Sequence, residues 1–93
     1  MKSIISNERE CFVCKKPFHL HRHHIWGGGR RELSEKYGCW VYLCGRHHNF
    51  SDFGVHYNKS LDIKLKKLCQ TKLEESGWSR EKVAETFGRN YLD

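Results

Sequence analysis

The chain has 93 residues, which suits one domain, residues 1–93, with a small core. Only 38% of them are hydrophobic, so a structural metal would help hold the fold, and no run approaches the ~18 apolar residues of a membrane span. The formal charge of +6 favours a polyanionic partner, nucleic acid foremost, over the plain alternative of a small basic protein that binds nothing specific.

Residues 1–10 are polar and read as a lead-in. Cys11-Phe12-Val13-Cys14-Lys15-Lys16-Pro17 has the pattern of a knuckle, a tight turn presenting two thiolates to one ion. Residues 18–26 alternate loosely and have the length of a strand. Gly27, Gly28 and Gly29 interrupt it, either as a plain loop or as backbone that approaches a ligand closely. Residues 30–38 are charged and hold one helical turn. Residues 39–43, Cys-Trp-Val-Tyr-Leu, are a second strand rich in β-formers. Residues 45–53 predict a short helix that stops near Gly54.

From there the pattern is helical. Ser60 is placed to cap a helix with Asp62 in its first turn. Leu61, Leu65, Leu68 and Leu73 fall mostly on one face, and Gly77 ends the element. Ser79 can cap another helix, with Val83 and Phe87 four apart and Gly88 as its stop. The order is knuckle, strand, glycine loop, strand, short helix and two further helices: a small α+β fold, with residues 11–56 as a zinc-bound core and residues 59–93 as a helical extension.

Five cysteines are an odd number, and no apolar stretch after Met1-Lys2-Ser3 resembles a secretory signal. Reduced, metal-binding thiols in a cytoplasmic protein are therefore expected. Cys11 and Cys14 are spaced to share one ion, as are Cys44 and His47, with 29 residues between the pairs. Four such ligands make a closed tetrahedral Zn²⁺ site, structural because no position stays open. Cys69 reads as a small core residue. Cys39 would replace a ligand if His47 were used elsewhere.

Outside this set stand His19, His21, His23, His24, His48 and His56. Hydrolysis of a phosphodiester needs a base to activate water and a cation to stabilise charge on the phosphate and leaving oxygen. Neutral imidazole suits the first task, since its unperturbed pKa is about 6.5. A strand ending at a glycine loop can put one histidine on a metal and its neighbour on a water.

Cys-x-x-Cys, His-His-Ile, a glycine loop and Leu-Cys-x-x-His-His-Asn, over residues 11–56, resemble the HNH endonucleases with their ββα-metal core. The order of the later motifs is also similar to the phage Ref-type, RecA-dependent nucleases. The resemblance implies that His24 is the general base, that His23 and the helix residue His48 hold a catalytic divalent ion (Mg²⁺, Mn²⁺, Ni²⁺ or Zn²⁺), and that Cys11, Cys14, Cys44 and His47 hold the structural zinc. Family members with Asn-Leu-x-x-Leu-Cys keep an asparagine that fixes the loop aiming the base. Here that position is Cys39, which leaves backbone groups of Gly27 to Gly29 to take its place.

Asp52, four residues after His48, and His56 are further metal candidates, or else polar surface; Asn49 could coordinate through its amide oxygen. His19 and His21 alternate with Leu20 and read as solvated, with contact to DNA or metal as the alternative. Arg22, Arg30, Arg31 and Arg46 flank the site and suit phosphate contacts. Lys59, Lys64, Lys66, Lys67 and Lys72 read as a solvated helix face. Trp26, Trp40 and Trp78 read as core. The leading expectation is a metal-dependent HNH-type DNA endonuclease, alone, as a homodimer or with a phage or host DNA-processing partner. A non-catalytic zinc-containing nucleic-acid-binding module is the alternative. A zinc-stabilised protein adaptor is a third class, which would not need the basic excess.

Overall fold

A computed structural model describes residues 1–48 and 58–92. Its centre is a two-stranded antiparallel sheet of β1 (Leu20–His24) and β2 (Trp40–Cys44), with Leu20 opposite Cys44 and His24 opposite Trp40. The aromatic and β-branched residues of β2 favour extended backbone by themselves. β1, Leu-His-Arg-His-His, has no such bias and is extended because it pairs with β2. It is shorter than the expected 18–26. His19 takes a left-handed φ of 56°, which ends the strand on one side. On the other side the Ser34 hydroxyl binds both the N–H and the carbonyl of Trp26 (3.0 and 2.8 Å) and draws the chain away.

Gly28 to Arg30 form a single 3-10 turn, which leads directly into α1 (Arg31–Lys36). Gly38 ends that helical segment with φ 72°. Its carbonyl accepts from the Ile4 N–H at 2.9 Å, and a Cβ built on Gly38 would overlap the Lys2 carbonyl oxygen. The lead-in is thus packed along the sheet, with the Ser3 hydroxyl donating to the Trp40 carbonyl. Gly38→Ala is expected to destabilise the protein by more than the roughly 1–2 kcal/mol of a left-handed alanine, because backbone meets backbone. A thermal melt of the variant checks this, and an unchanged midpoint would refute it.

α2 (Gly45–His48) follows β2 without a break. The rest of the helix expected over residues 45–53 lies outside the described residues, as do Asn49, Asp52 and His56. α3 (Lys59–Glu75) begins two residues earlier than Ser60 suggested: its cap is Asn58, whose side chain accepts from the Leu61 N–H at 3.1 Å. Its buried face runs through Leu65, Cys69 and Leu73 at four-residue spacing, with Leu68 off the stripe. α4 (Arg80–Phe87) is capped by Ser79 and stopped by Gly88 at φ 94°, as the sequence indicates.

One core joins the sheet to these helices. Ile25, Trp26, Val41 and Leu43 meet Leu65, Leu73, Val83, Phe87 and Tyr91. Trp26 stacks on Phe87 with ring centroids 3.9 Å apart. Trp40 is buried as well, while Trp78 is half-buried against Tyr37. Cys39 and Cys69 are fully buried neighbours in this core. Their contact, together with burial, pushes the Cys69 thiol far above its ordinary range. Gln70, also fully buried, donates to Glu74 and Asn90 and accepts from the Tyr91 N–H at 2.7 Å. Among the described residues, no helix is long and apolar enough to cross a membrane.

Candidate metal centre and the histidines beside it

The knuckle is closed by two backbone bonds, Cys11 N–H to the Lys16 carbonyl and Lys15 N–H to the Cys11 carbonyl, both 2.9 Å. Lys15 takes a left-handed φ of 68° to make the turn. A third bond, from the Phe12 N–H to the Tyr42 carbonyl at 2.8 Å, docks the knuckle on β2. Cys11 and Cys14 thereby meet Cys44, the last residue of β2, and His47 of α2. All four ligand atoms lie within 4.8 Å of one another, and the group could hold a metal ion.

The distances fit zinc. An ion with bonds of about 2.3 Å to sulfur and about 2.0–2.1 Å to nitrogen, in tetrahedral geometry, puts sulfurs about 3.8 Å apart and sulfur about 3.5 Å from nitrogen. Here Cys14 Sγ is 3.6 Å from Cys44 Sγ, and His47 Nδ1 is 3.7 Å from Cys11 Sγ and 3.3 Å from Cys44 Sγ. Burial opposes ionisation of Cys11, but the backbone N–H groups of Cys14, Cys44 and Val13 aimed at its sulfur outweigh it, and its pKa falls. Burial pushes Cys14 up, as do Cys44 and Cys11 beside it, with only partial relief from the Lys16 backbone. Burial, Arg46 and Lys16 hold the His47 pKa below its ordinary value, which favours the neutral, ligating form. A substitution of Cys39 for His47 is closed off by the place of Cys39 in the core.

Two histidines in succession on a helix diverge by about 100°. His47 therefore faces the thiols while His48 faces β1. There its Nδ1 lies 2.8 Å from His21 Nδ1, and its ring centroid is 4.9 Å from that of His21 and 5.4 Å from that of His23. His21 and His23 share one face of β1 because side chains alternate along a strand. The expected pair His23 and His48 is brought together, but His21 is part of the same group rather than a solvated bystander. The two-residue spacing of His21 and His23 in a strand was the signal for it.

His24 points to the other face. Its Nε2 is 2.9 Å from Glu35 Oε1, and its Nδ1 is 3.4 Å from Arg31 Nε. Glu35 is the residue that sequence reasoning missed. Its carboxylate is paired with His24 and Arg22, which hold its pKa down at about 2. Arg22 Nη1 donates to both oxygens at 2.9 Å, and its guanidinium lies 3.9 Å over the Trp40 ring. An ionised carboxylate only accepts and an arginine only donates. Nε2 therefore carries the proton and Nδ1 the lone pair: a neutral imidazole with a defined tautomer.

The support of His24 thus differs from expectation. Glu35 and Arg31 hold the ring, while Gly27 to Gly29 form the turn into α1. At the position of the absent asparagine, the Cys39 backbone ties β2 to Ile25 and Ser34. The Cys39 carbonyl accepts from the Ile25 N–H at 2.9 Å, and its N–H donates to Ser34 at 2.7 Å. The buried Ser34 hydroxyl then clamps Trp26, two residues past His24.

The four predicted phosphate-binding arginines have different settings. Arg22 is committed to Glu35 and Trp40, and Arg31 sits on His24. The exposed Arg30 lies over Gly88 at the carbonyl end of α4, a favourable place for a cation. Arg46 lines an open cleft of about 340 Å³ with Lys16, Phe18 and His19.

The depressed Glu35 pKa has a sign that can be checked. Its folded value lies below the ordinary 4.5, so its stabilisation is complete above about pH 4.5 and is lost as the pH falls towards 2. Glu35→Gln is expected to lower the melting temperature by a constant amount from pH 7 to about 5. The difference should close at lower pH, where the wild-type carboxylate is protonated too. A gap that keeps its full pH 7 size down to about pH 2 would show that the glutamine perturbs packing instead.

No protein-family model, curated protein or solved structure matches the chain.

Proposed function

We propose that this protein is a metal-dependent endonuclease of HNH type that hydrolyses DNA phosphodiester bonds, with zinc at the Cys11, Cys14, Cys44 and His47 cluster. One observation carries the reading. The adjacent residues His23 and His24 project from opposite faces of β1, one towards His48 and the other onto an anchoring carboxylate. A pure binding module has no use for such a division between neighbouring histidines.

In this reading His24 Nδ1 takes a proton from water as its oxygen attacks phosphorus, and Glu35 stabilises the imidazolium that results. A divalent ion at His23 and His48 would supply charge stabilisation for the phosphate and the leaving oxygen. Arg31 has to leave Nδ1 first. A phosphate is a better partner for a guanidinium than an imidazole nitrogen, so binding of the DNA backbone would draw Arg31 away and free the lone pair. Arg46 and Lys16 add sequence-independent phosphate contacts.

The non-catalytic zinc-containing module is favoured by the same Arg31 contact and by the 10% exposure of the His24 side chain. Supercoiled plasmid incubated with Mg²⁺, Mn²⁺, Ni²⁺ or EDTA separates the two. Nicking with any of the metals and none in EDTA supports the nuclease. Plasmid binding without nicking under every condition supports the module.

A further inference from the structure

We infer that Phe18 is a stacking platform for an unpaired base, and that the cleft beside it receives a single-stranded stretch of DNA. This rests on the nucleic-acid partner of the proposed function and adds the structure of the substrate.

The starting observation is an exposed aromatic ring on a loop held at both ends. Among the described residues the exposed large hydrophobics are Met1, Val13 and Phe18, and Phe18, the aromatic one, is 60% exposed. Single apolar side chains at a surface are ordinary, but this one is fixed in place. Before it, the Lys16 carbonyl accepts from the Cys11 N–H at 2.9 Å, and Pro17 locks its own φ. After it, the His19 carbonyl accepts from the Gly45 N–H at 3.1 Å. Lys15 and His19 take left-handed φ values of 68° and 56°, so the loop is held against the ordinary backbone preference. A ring presented in this way loses little further freedom when a base lies on it.

The surroundings select the partner. Phe18 lines an open cleft of about 340 Å³ with Lys16, His19, Cys44, Gly45 and Arg46, none of them acidic. Lysine is depleted from protein-docking patches, whereas positive charge beside an aromatic ring suits a nucleic-acid strand, the cations tracking the phosphates and the ring taking a base. The His19 ring stands at 78° to that of Phe18, with centroids 6.2 Å apart, so one flat base cannot lie on both. Phe18 is the apolar ring of the two and gains more from being covered. In a duplex each base is already covered on both faces by its neighbours. Only an unpaired, unstacked base has a face to offer.

The test is fluorescence anisotropy of the full chain, without added divalent ion, on three labelled probes: a short oligothymidylate, an abasic strand with the same number of phosphates, and a fully paired duplex. The wild type should prefer the oligothymidylate to the abasic strand by about 5- to 150-fold, the usual range for one base on one aromatic ring. Phe18→Ala and Phe18→Leu should each lose most of that preference while binding the abasic strand and the duplex as the wild type does, and Phe18→Tyr should keep it. Lys16→Gln should weaken all three probes alike. A wild type that binds the two single strands equally, or binds neither, overturns the inference. So does a Phe18→Leu protein with the full preference, which would mark a plain apolar contact, or an equal loss on duplex and single strand. Sedimentation without DNA should find no dimer that Phe18→Ala dissolves; such a dimer would give the ring to a second copy and overturn the inference too. Base preference through Phe18 in a protein that never nicks plasmid leaves the inference standing and removes the nuclease reading; nicking without base preference does the reverse.

Discussion

With His24 as the base of the proposed nuclease, replacing it with alanine is expected to lower plasmid nicking by about 10²–10⁴-fold, the usual effect of removing a general base. DNA affinity and metal content should stay near wild type, because the base acts in the transition state and adds little to ground-state binding. His24 lies on the opposite face of β1 from His21 and His23, so the substitution leaves their contacts with His48 intact. It does remove a partner of Glu35, but Arg22 retains both of its bonds to that carboxylate. Initial nicking rates at saturating metal measure the effect, with zinc content and a melt as controls. A His24→Ala protein that cuts at the wild-type rate would put the base elsewhere. Glu35→Gln should give a smaller loss, since a glutamine can donate or accept and no longer dictates which nitrogen of His24 holds the proton.

Cys44→Ser should have the largest effect on folding. The Cys44 sulfur contacts Cys14 and His47, and the residue is 5% exposed at the end of β2. Without it the knuckle loses its tie to the sheet. Zinc binding is coupled to folding, and a domain of this size has total stability of only about 5–15 kcal/mol. The variant is expected to fall from about one zinc per chain to none and to lose its cooperative melt at ordinary temperatures. Removing zinc from the wild type with a strong chelator should produce the same loss, reversed by adding zinc back. A zinc-free Cys44→Ser protein with the wild-type melting temperature would sink the structural role.

The cluster of Cys11, Cys14, Cys44 and His47 was legible because ligand spacing is a local property that survives any arrangement of the rest. Ser79 and Gly88 were legible for the same reason: caps and stops are written within one turn of their helix. Glu35 was not, because what makes it a partner of His24 is the return of α1 onto the sheet, which rests on the Ser34 hydroxyl and on Cys39 backbone. His21 was underrated because a histidine three positions before the presumed base carries no motif. Only the pairing of β1 with β2, followed directly by α2, brings His48 over it. Asn58 outcompeted Ser60 as a cap, although both are good capping residues, so the choice depends on where the chain enters the helix.

The Gln70 side chain has a consequence for where the molecule can be cut. It ties Asn90 and Tyr91 to α3, and Tyr91 lies beside Trp26 at a ring distance of 5.8 Å. Trp26 is two residues from His24. The last residues of the chain thus brace the strand end that aims the imidazole, across most of the sequence. A fragment trimmed to residues 11–56 would expose Trp26 and set that strand end loose. Hydrogen exchange should accordingly find the amides of β1 and α3 opening together, as one cooperative unit rather than a core with an appendage.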